Sequence, residues 1–269
     1  MKLYLDPGHG GTDPGAQGNG LREKDINLDI ALKIRSLITS QYENVSVKMS
    51  RTSDTTKSLT QRTNEANSWN ADYYVSIHCN SFNGSAQGYE DYIHSGLADS
   101  SQTARYRDIL HTEITKVNQL RNRGKKKANF HVLRESTMPA ILTENGFIDN
   151  NHDAALMRNE SWRQKVAQAH VDGIARAFNL KKNDSSPSPS PNVIFRIIAG
   201  SFQSRKNAEN RQALLANNQI DSFIASVTIS GKVWYRVQAG AFTSRENAEE
   251  HLTIVKRIVS DAYIVQEQR

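Results

Sequence analysis

Strand-like and helix-like segments alternate along residues 1–180, and this alternation restricts the folds available to the chain. Residues 3–5 and 72–77 are short runs of strand-forming side chains, whereas residues 25–38 repeat apolar side chains at helical spacing. Such alternation predicts the α/β class, with a mostly parallel, twisted sheet flanked by helices on both sides. The other predicted strands are residues 45–49, 89–93, 130–133 and 140–143, and the other predicted helices are 59–69, 100–117 and 162–178.

A segment without apolar side chains, KKNDSSPSPSPN at residues 181–192, predicts a tether between two domains. The chain has 269 residues, which is long enough for one large domain and one small module. We therefore predict a large domain over residues 1–180, a Ser/Pro linker over 181–192 and a small domain over 193–269.

The small domain contains an internal repeat. FRIIAGSF at residues 195–202 recurs as YRVQAGAF at 235–242, and each copy reads strand, helix, strand, with Ser204 and Ser244 as predicted helix N-caps. Two copies are too few for a solenoid, so we predict a compact α+β domain of the βαββαβ type, with one sheet face left open. Three aromatic residues either bind a ligand on that open face or fill the core: Phe195, Trp234 and Tyr235.

The net charge of +6 lies mostly in the second part of the chain. Residues 1–180 carry 22 Lys and Arg against 20 Asp and Glu, whereas residues 181–269 carry 12 against 8. This balance favours polyanionic partners without choosing among them. The basic run at 121–127 predicts a solvated turn around Gly124. The single cysteine, Cys79, excludes an internal disulfide, and we expect it to be a buried strand residue.

Polar residues with metal-binding chemistry follow the predicted strands. His9, His78 and Glu144 each come directly after an apolar run, and Glu23 sits just ahead of a helix. Because sites in open α/β sheets gather at the carboxyl ends of strands, these residues are expected to meet. Two imidazoles and one carboxylate, with one position open to water, form the ligand set of a catalytic zinc. Spacing alone does not decide which glutamate binds the metal and which acts as base, and either histidine by itself also fits a hydrogen-bonded core residue.

Four motifs together resemble the zinc-dependent N-acetylmuramoyl-L-alanine amidases of the amidase-3 family, of the sporulation and mother-cell-lysis type. They are DPGHGGTDPGAQGNGLREKDINL, SRTSD, SIHCNS and NFHVLRESTMPAILTENGFIDN. The resemblance runs over residues 1–180, with the motifs in the family's order. The paired AGSF and AGAF blocks of the tail resemble a SPOR domain, a module that binds peptidoglycan glycan strands stripped of their peptides.

The resemblance implies a function for each site residue. His9, Glu23 and His78 would bind one Zn²⁺ per catalytic domain, and Glu144 would be the catalytic acid and base that cleaves the amide bond between N-acetylmuramic acid and L-alanine. Regulated family members carry an insertion whose helix blocks the zinc, but only about ten residues separate His78 from the next predicted strand, so we expect no such plug. Asn80 and Arg134 would either support the site, contact a peptide carboxylate or have a structural role.

The implied partners are the cross-linked wall as substrate and peptide-free glycan for the tail, without nucleic acid or membrane, and we expect a monomer. The tail lacks the RNA-recognition signature, and no segment approaches the roughly 20 apolar residues that span a bilayer. We expect synthesis in the cytoplasm without a signal peptide, followed by action on the wall after lysis or non-classical release. A zinc carboxypeptidase-like peptidase and an inactive wall-binding protein are the alternatives, and the sequence does not separate a chromosomal lysin from a phage endolysin.

Overall fold

The computed structural model describes residues 1–183, 193–218, 220–229, 231–243 and 245–268, without the side chains of residues 246 and 250. The chain forms two compact units, Met1–Asp184 and Ser185–Arg269. The strands of the first unit are β1 (Lys2–Pro7), β2 (Gln17–Gly18), β3 (Leu21–Arg22), β4 (Ser46–Met49), β5 (Tyr73–Asn80), β6 (Tyr89–His94), β7 (Asn122–Ala128) and β8 (Ala140–Phe147). Its helices are α1 (Glu23–Gln41), α2 (Leu59–Ser68), α3 (Gln102–Val117), α4 (His131–Arg134), α5 (Asn151–Arg158) and α6 (Glu160–Phe178).

The first unit is built on a six-stranded sheet in the order β4-β1-β5-β8-β6-β7. Strand β1 runs parallel to β4 and β5, β5 runs parallel to β8, and β6 runs parallel to β7, whereas β6 and β8 are antiparallel. The prediction of a mostly parallel α/β sheet is therefore confirmed, with one antiparallel pair.

Side chains of successive strand residues enter two different cores, because they point to opposite sheet faces. On β5, Tyr73 and Cys79 belong to the core beneath α1, α3 and α6, whereas Tyr74 belongs to the core beneath α2 and α4. Cys79 is fully packed in the first of these cores, as predicted. The face that carries Tyr74 also carries the side chains at alternate positions further along β5, including His78.

Helix α1 begins earlier than predicted, and this start places Glu23 in its first turn. Arg22 occupies the N-cap without a side-chain capping hydrogen bond, but Glu23 and Asp25 bring negative charge to the positive end of the helix dipole. Helix α2 has a conventional cap, because Ser58 and Gln61 form a capping box.

Two local predictions for the first unit are wrong. The basic run at 121–127 is not a turn around Gly124, because all of its residues after Arg121 lie in β7. This strand occupies an edge of the sheet, where charged side chains are common because they prevent further strand addition. Residues 130–133 do not form a strand: His131–Arg134 is a single helical turn that buries Val132 and Leu133 together. A run this short has no periodicity that separates helix from strand.

The second unit contains β9 (Val193–Phe202), α7 (Arg205–Asn217), β10 (Phe223–Ile229), β11 (Lys232–Phe242), α8 (Arg245–Lys256) and β12 (Tyr263–Gln268). Its four strands form an antiparallel sheet in the order β10-β11-β9-β12, so the βαββαβ prediction is confirmed.

The aromatic residues and the helix N-caps predicted for the second unit differ in their outcomes. Tyr235 packs against the helix-covered core, whereas Phe195 and Trp234 are half-buried and lie outside that core cluster. Ser204 caps α7 by position but makes no side-chain capping hydrogen bond, and Ser244 lies outside the described residues. Among the helices that the structure describes, none is long and apolar enough to cross a bilayer.

Candidate metal centre

Three predicted ligands from distant stretches of the chain meet beside the carboxyl ends of β1 and β5. His9 Nε2 lies 3.1 Å from Glu23 Oε2, and His78 Nδ1 lies 2.8 Å from Glu23 Oε1. One donor atom from each of the three residues lies within 4.8 Å of the other two. Tetrahedral Zn²⁺ with bonds of about 2.0–2.1 Å needs ligand atoms roughly 3.3 Å apart, so small adjustments of these side chains would accommodate the ion.

Glu23 is a buried carboxylate held by backbone and side-chain donors. Its Oε2 accepts a hydrogen bond from the Ala16 N–H at 2.8 Å, and its Oε1 accepts from the Cys79 N–H and from Asn27 Nδ2, both at 3.1 Å. Burial opposes its ionisation, but the hydrogen bonds with His78 and His9 outweigh burial and hold the pKa of Glu23 well below its usual range. The residue is therefore an anionic ligand that is oriented before any ion binds.

His9 faces a carboxylate on each side of its ring. Its Nδ1 lies 2.8 Å from Asp13 Oδ2, and its Nε2 faces Glu23. Both carboxylates raise the pKa of His9, against the effect of burial. An ionised carboxylate only accepts hydrogen bonds, so a neutral ring that donates from Nδ1 turns a lone pair towards Glu23. A cation between Nε2 and Glu23 removes this conflict, which is why the donor set fits a metal.

Two glycines leave the space that the ligands fill. A Cβ atom on Gly8 would lie 2.2 Å from His78 Cε1, and a Cβ atom on Gly15 would lie 2.6 Å from Glu23 Oε2. Gly15 also has a φ of 66°, which other residues rarely adopt. His9 itself has a φ of 61°, so this histidine shares the backbone strain of the loop with the glycines.

Two buried arginines fix the backbone of the His9 loop. Arg62 donates from Nη1 to Asp6 Oδ1 at 2.6 Å and from Nη2 to the His9 carbonyl at 2.7 Å. Arg51 donates from Nη2 to the carbonyls of Gly8 and Lys24, both at 2.8 Å. These donors satisfy carbonyls that a glycine-rich loop cannot pair in a sheet. The ligands of α1 and β1 are thereby tied to one rigid frame.

Sequence reasoning missed four residues that support the ligands: Asp13, Asn27, Arg51 and Arg62. Arg51 did carry a signal, because it lies two residues after the end of β4, within the SRTSD motif. Charged residues at a strand end, followed by Ser and Thr, indicate a polar position near a site in an α/β sheet. Asp13 and Asn27 lie within the first of the four motifs, whereas Arg62 lies in none of them.

Glu144 lies beside the cluster on the neighbouring strand. It pairs in register with His78 across β5 and β8, and the regular pairing is interrupted directly after this position. Its Oε2 is buried and has no hydrogen-bond partner in the part of the chain that the structure describes. Burial raises the pKa of the Glu144 carboxyl well above its usual range, and the charges of Glu23 and Glu90 raise it further. A carboxyl group in this state is suited to proton transfer.

The two remaining candidates lie outside the cluster. Asn80 ends β5 and donates from Nδ2 to Glu90 Oε1 at 2.9 Å. Arg134 lies on α4, where it pairs with Glu135 and donates to Asn129, and its side chain is 40% exposed. Arg134 therefore has local partners that give it a structural role.

Family models match both units. A model described as N-acetylmuramoyl-L-alanine amidase, Amidase_3, matches residues 3–176, and a model described as SPOR domain matches residues 191–266. The chain is 48% identical over 224 residues to N-acetylmuramoyl-L-alanine amidase CwlM of Bacillus licheniformis, a match that covers 83% of this chain and 84% of the relative. It is 45% identical over 224 residues, with the same coverage, to the sporulation-specific N-acetylmuramoyl-L-alanine amidase of Bacillus subtilis (strain 168).

A solved structure matches the first unit. The catalytic domain of CwlV, an N-acetylmuramoyl-L-alanine amidase from Bacillus (Paenibacillus) polymyxa var. colistinus, superposes with a TM-score of 0.63 at 34% sequence identity. The match covers 67% of this chain and 99% of that domain. The extra length of this chain corresponds to the second unit.

Proposed function

Because the chain belongs to the N-acetylmuramoyl-L-alanine amidase family Amidase_3, we propose that His9, Glu23 and His78 bind one Zn²⁺ and that Glu144 is the catalytic acid and base. The protein is an N-acetylmuramoyl-L-alanine amidase that acts on peptidoglycan and hydrolyses the amide bond between N-acetylmuramic acid and L-alanine of the stem peptide. The observation that carries the proposed assignment is the convergence of the three ligand atoms within 4.8 Å, next to Glu144, whose Oε2 has no hydrogen-bond partner among the described residues.

The proposed mechanism gives each residue one task. When bound, Zn²⁺ supplies a Lewis acid that lowers the pKa of water and stabilises negative charge on oxygen. Glu144 Oε2 accepts a proton from the water that attacks the lactyl carbonyl. The same carboxyl then donates this proton to the departing nitrogen of L-alanine. The carbon–nitrogen bond breaks, and the products are a free lactyl carboxylate and a free amino group.

The charge of Glu23 affects the protonation of Glu144 in a way that fits proton transfer. Glu144 has a raised pKa in part because Glu23 is anionic nearby. We expect the pKa of Glu144 to fall when the site takes up a divalent cation, because positive charge offsets that of Glu23. The carboxyl would then be ionised before attack and protonated afterwards.

The second unit supports binding of the enzyme to the cell wall. It contains a SPOR domain, and we propose that this domain, within residues 193–269, binds peptide-free glycan strands. The amidase produces such strands, so the product of one domain would be the ligand of the other. A tether at residues 181–192 would raise the local concentration of the catalytic domain at the wall without new contacts at the scissile bond. We propose that the protein acts in this way as a monomer.

Metal content and product analysis test the assignment. Wild type, Glu23→Ala and Glu144→Ala are compared for bound zinc and for the products released from purified muropeptides. We expect Glu23→Ala to lose both zinc and activity, and Glu144→Ala to retain zinc but lose activity. New L-alanine amino termini would support the amidase, whereas cleavage between amino acids would support the peptidase alternative. Loss of zinc in neither variant would refute the ligand assignment.

A further inference from the structure

A cleft of 240 Å³ opens beside the catalytic face, and its residues have no role in the mechanism above. Its lining includes Asn80, Phe82, Glu90, Arg123 and Phe147. The volume is below the roughly 300 Å³ at which pockets for whole small molecules begin, so the cleft suits one group of a larger substrate.

The cleft continues a row of side chains that starts at the metal centre. His78 pairs with Glu144 across β5 and β8, and Glu144 pairs with Glu90 across β8 and β6. Strand β7, which carries Arg123, is the next strand in the sheet. Neighbouring strands lie about 4.8 Å apart, so Arg123 is about 10 Å from Glu144 along this row. An extended dipeptide spans about 7 Å, and the arginine side chain covers the remaining distance.

The end of the row carries surplus positive charge. Glu90 is almost fully buried, and its Oε2 accepts from Arg123 Nε at 2.6 Å and also from Lys126 Nζ. One carboxylate thus serves two cations, both of which remain partly exposed. The other lysines of β7 differ in this respect, because Lys125 pairs with Asp108 and Lys127 pairs with Asp99.

Arg123 is held in place for binding. Its guanidinium carbon lies 4.8 Å from the centre of the Phe147 ring, and its Nε is fixed by Glu90. Its Nη2 donates to no residue within the described part of the chain. A guanidinium that is stacked on an aromatic ring and keeps free N–H groups is suited to bind a carboxylate.

A fixed loop forms the rim of the cleft. Asp149 Oδ2 accepts from the backbone N–H groups of Phe82 at 3.0 Å and Gly84 at 2.9 Å. The Phe82 side chain is nevertheless 78% exposed. An exposed aromatic side chain on a loop that is held by these two hydrogen bonds offers apolar contact to a bound chain.

We propose that this cleft binds the stem peptide on the leaving-group side of the scissile amide, and that Arg123, with Lys126, binds a carboxylate of the residue that follows L-alanine. The inference rests on the proposed function, because it takes Glu144 as the catalytic group. It makes Arg123 a specificity-determining residue. Stem peptides whose glutamate carries a free α-carboxylate are bound more tightly than those in which this group is a carboxamide.

Two substrates test the proposal with the wild-type protein. They are N-acetylmuramoyl tripeptides that differ only in whether the glutamate next to L-alanine carries the α-carboxylate or the carboxamide. We expect KM to be about tenfold lower for the carboxylate substrate, with a much smaller change in kcat. The charge-assisted hydrogen bond is formed in both the ground state and the transition state, so it strengthens substrate binding without lowering the barrier of the bound complex. Equal KM values for the two substrates would overturn the proposal.

Variants of β7 assign the preference to Arg123. In Arg123→Gln, the ratio of KM for the carboxamide substrate to KM for the carboxylate substrate is expected to fall towards one, because only Lys126 remains to bind the carboxylate. Arg123→Lys, which keeps a cation next to Glu90, is expected to retain a larger ratio. Lys125→Gln is the matched control. It removes one positive charge two residues after Arg123, from a side chain that pairs with Asp108, and it should keep the wild-type ratio. An unchanged ratio in Arg123→Gln would contradict the role of Arg123.

The outcomes separate this inference from the proposed function. Absence of hydrolysis with both substrates would count against the catalytic assignment. Full hydrolysis without discrimination between the substrates would count against the cleft alone. Should Arg123→Gln fail to fold because Glu90 loses a partner, the wild-type KM comparison still decides the matter.

Discussion

The proposed metal ligands depend on neighbouring residues that are not proposed ligands themselves. Asp13 orients His9 through Nδ1, and the same residue accepts the Gly15 N–H at 3.0 Å. Carboxylates in this position fix the ring orientation of a metal-binding histidine and increase its basicity. The contribution of Asp13 is therefore to ligand geometry, and its loss should be felt as weaker metal binding.

We predict that Asp13→Asn weakens zinc binding about 10- to 100-fold, as is typical when such a partner is removed. The asparagine keeps the size of the side chain but loses the negative charge that stabilises the Nδ1–H group. The measurement is the zinc Kd, from competition with a chelator of known affinity. Asp99→Asn, at a side chain that is 85% exposed on another part of the surface, is the control. An unchanged Kd in Asp13→Asn would show that Asp13 does not orient the ligand.

At the scale of elements, β1 and α2 are joined by a buried ion pair. Asp6 on β1 is 1% exposed and Arg62 on α2 is 3% exposed. Asp6 also accepts hydrogen bonds from the hydroxyls of Tyr74 and Ser76 on β5. Burial raises the pKa of the Asp6 carboxyl, but Arg62 and the hydrogen bonds outweigh burial and lower it overall. Breaking such a pair leaves an uncompensated charge in the core, which costs about 3–5 kcal/mol.

We predict that Asp6→Asn lowers the free energy of unfolding at pH 7 by several kcal/mol and weakens its dependence on acid pH. The folded-state pKa of Asp6 lies below its unfolded value of about 3.9. Its contribution is therefore complete above that value and is lost as the pH falls through the folded-state pKa. Urea unfolding over a pH series measures this, with Asp25→Asn at the surface as control. Parallel pH profiles for wild type and Asp6→Asn would contradict the prediction.

The edge strand β7 shows why element predictions failed where they did. Its sequence, NRGKKKA, has no apolar alternation. Its cations pair with carboxylates from other parts of the chain: Glu90, Asp99 and Asp108. The pairing partners are distant in sequence, so no local pattern indicates a strand. The same reason applies to α4, whose four residues are helical because Val132 and Leu133 both reach the core beneath α2.

At the scale of the whole molecule, two units carry separate tasks. The first unit holds the proposed catalytic residues, and the isolated catalytic domain of CwlV is matched along 99% of its length. The second unit has its own core and matches a wall-binding module. Separate cores mean that removal of one unit should leave the other folded.

We predict that deletion of residues 193–269 weakens binding to insoluble wall but leaves kcat/KM on a small soluble muropeptide largely intact. Only the wall substrate profits from the raised local concentration. Co-sedimentation with purified wall and hydrolysis of soluble muropeptide measure the two effects. As a control, wall that has been stripped of its stem peptides should retain the full chain but not the truncated one. Equal losses on both substrates would contradict this division.

The sequence by itself determined the fold class, the two-domain order and the identity of the chemistry. Alternating periodicity predicted the sheet and its helices, and four motifs predicted the ligands that the structure brings together: His9, Glu23 and His78, with Glu144 beside them. These features are carried by local pattern and by residue type. The role of Glu144 and the identity of the ion stay predictions that the proposed experiments test.

Only the tertiary structure decided which residues support the ligands and what surrounds them. Asp13 orients His9, and Arg62 holds the backbone of the His9 loop. Arg123 pairs with Glu90, at the end of the row of side chains that starts at His78. Each of these contacts depends on strand order and register, which join segments distant in the chain. Hydrogen bonds and ion pairs require atoms a few ångströms apart. Residues distant in sequence reach that separation only in the folded sheet, so a local sequence pattern does not reveal these contacts.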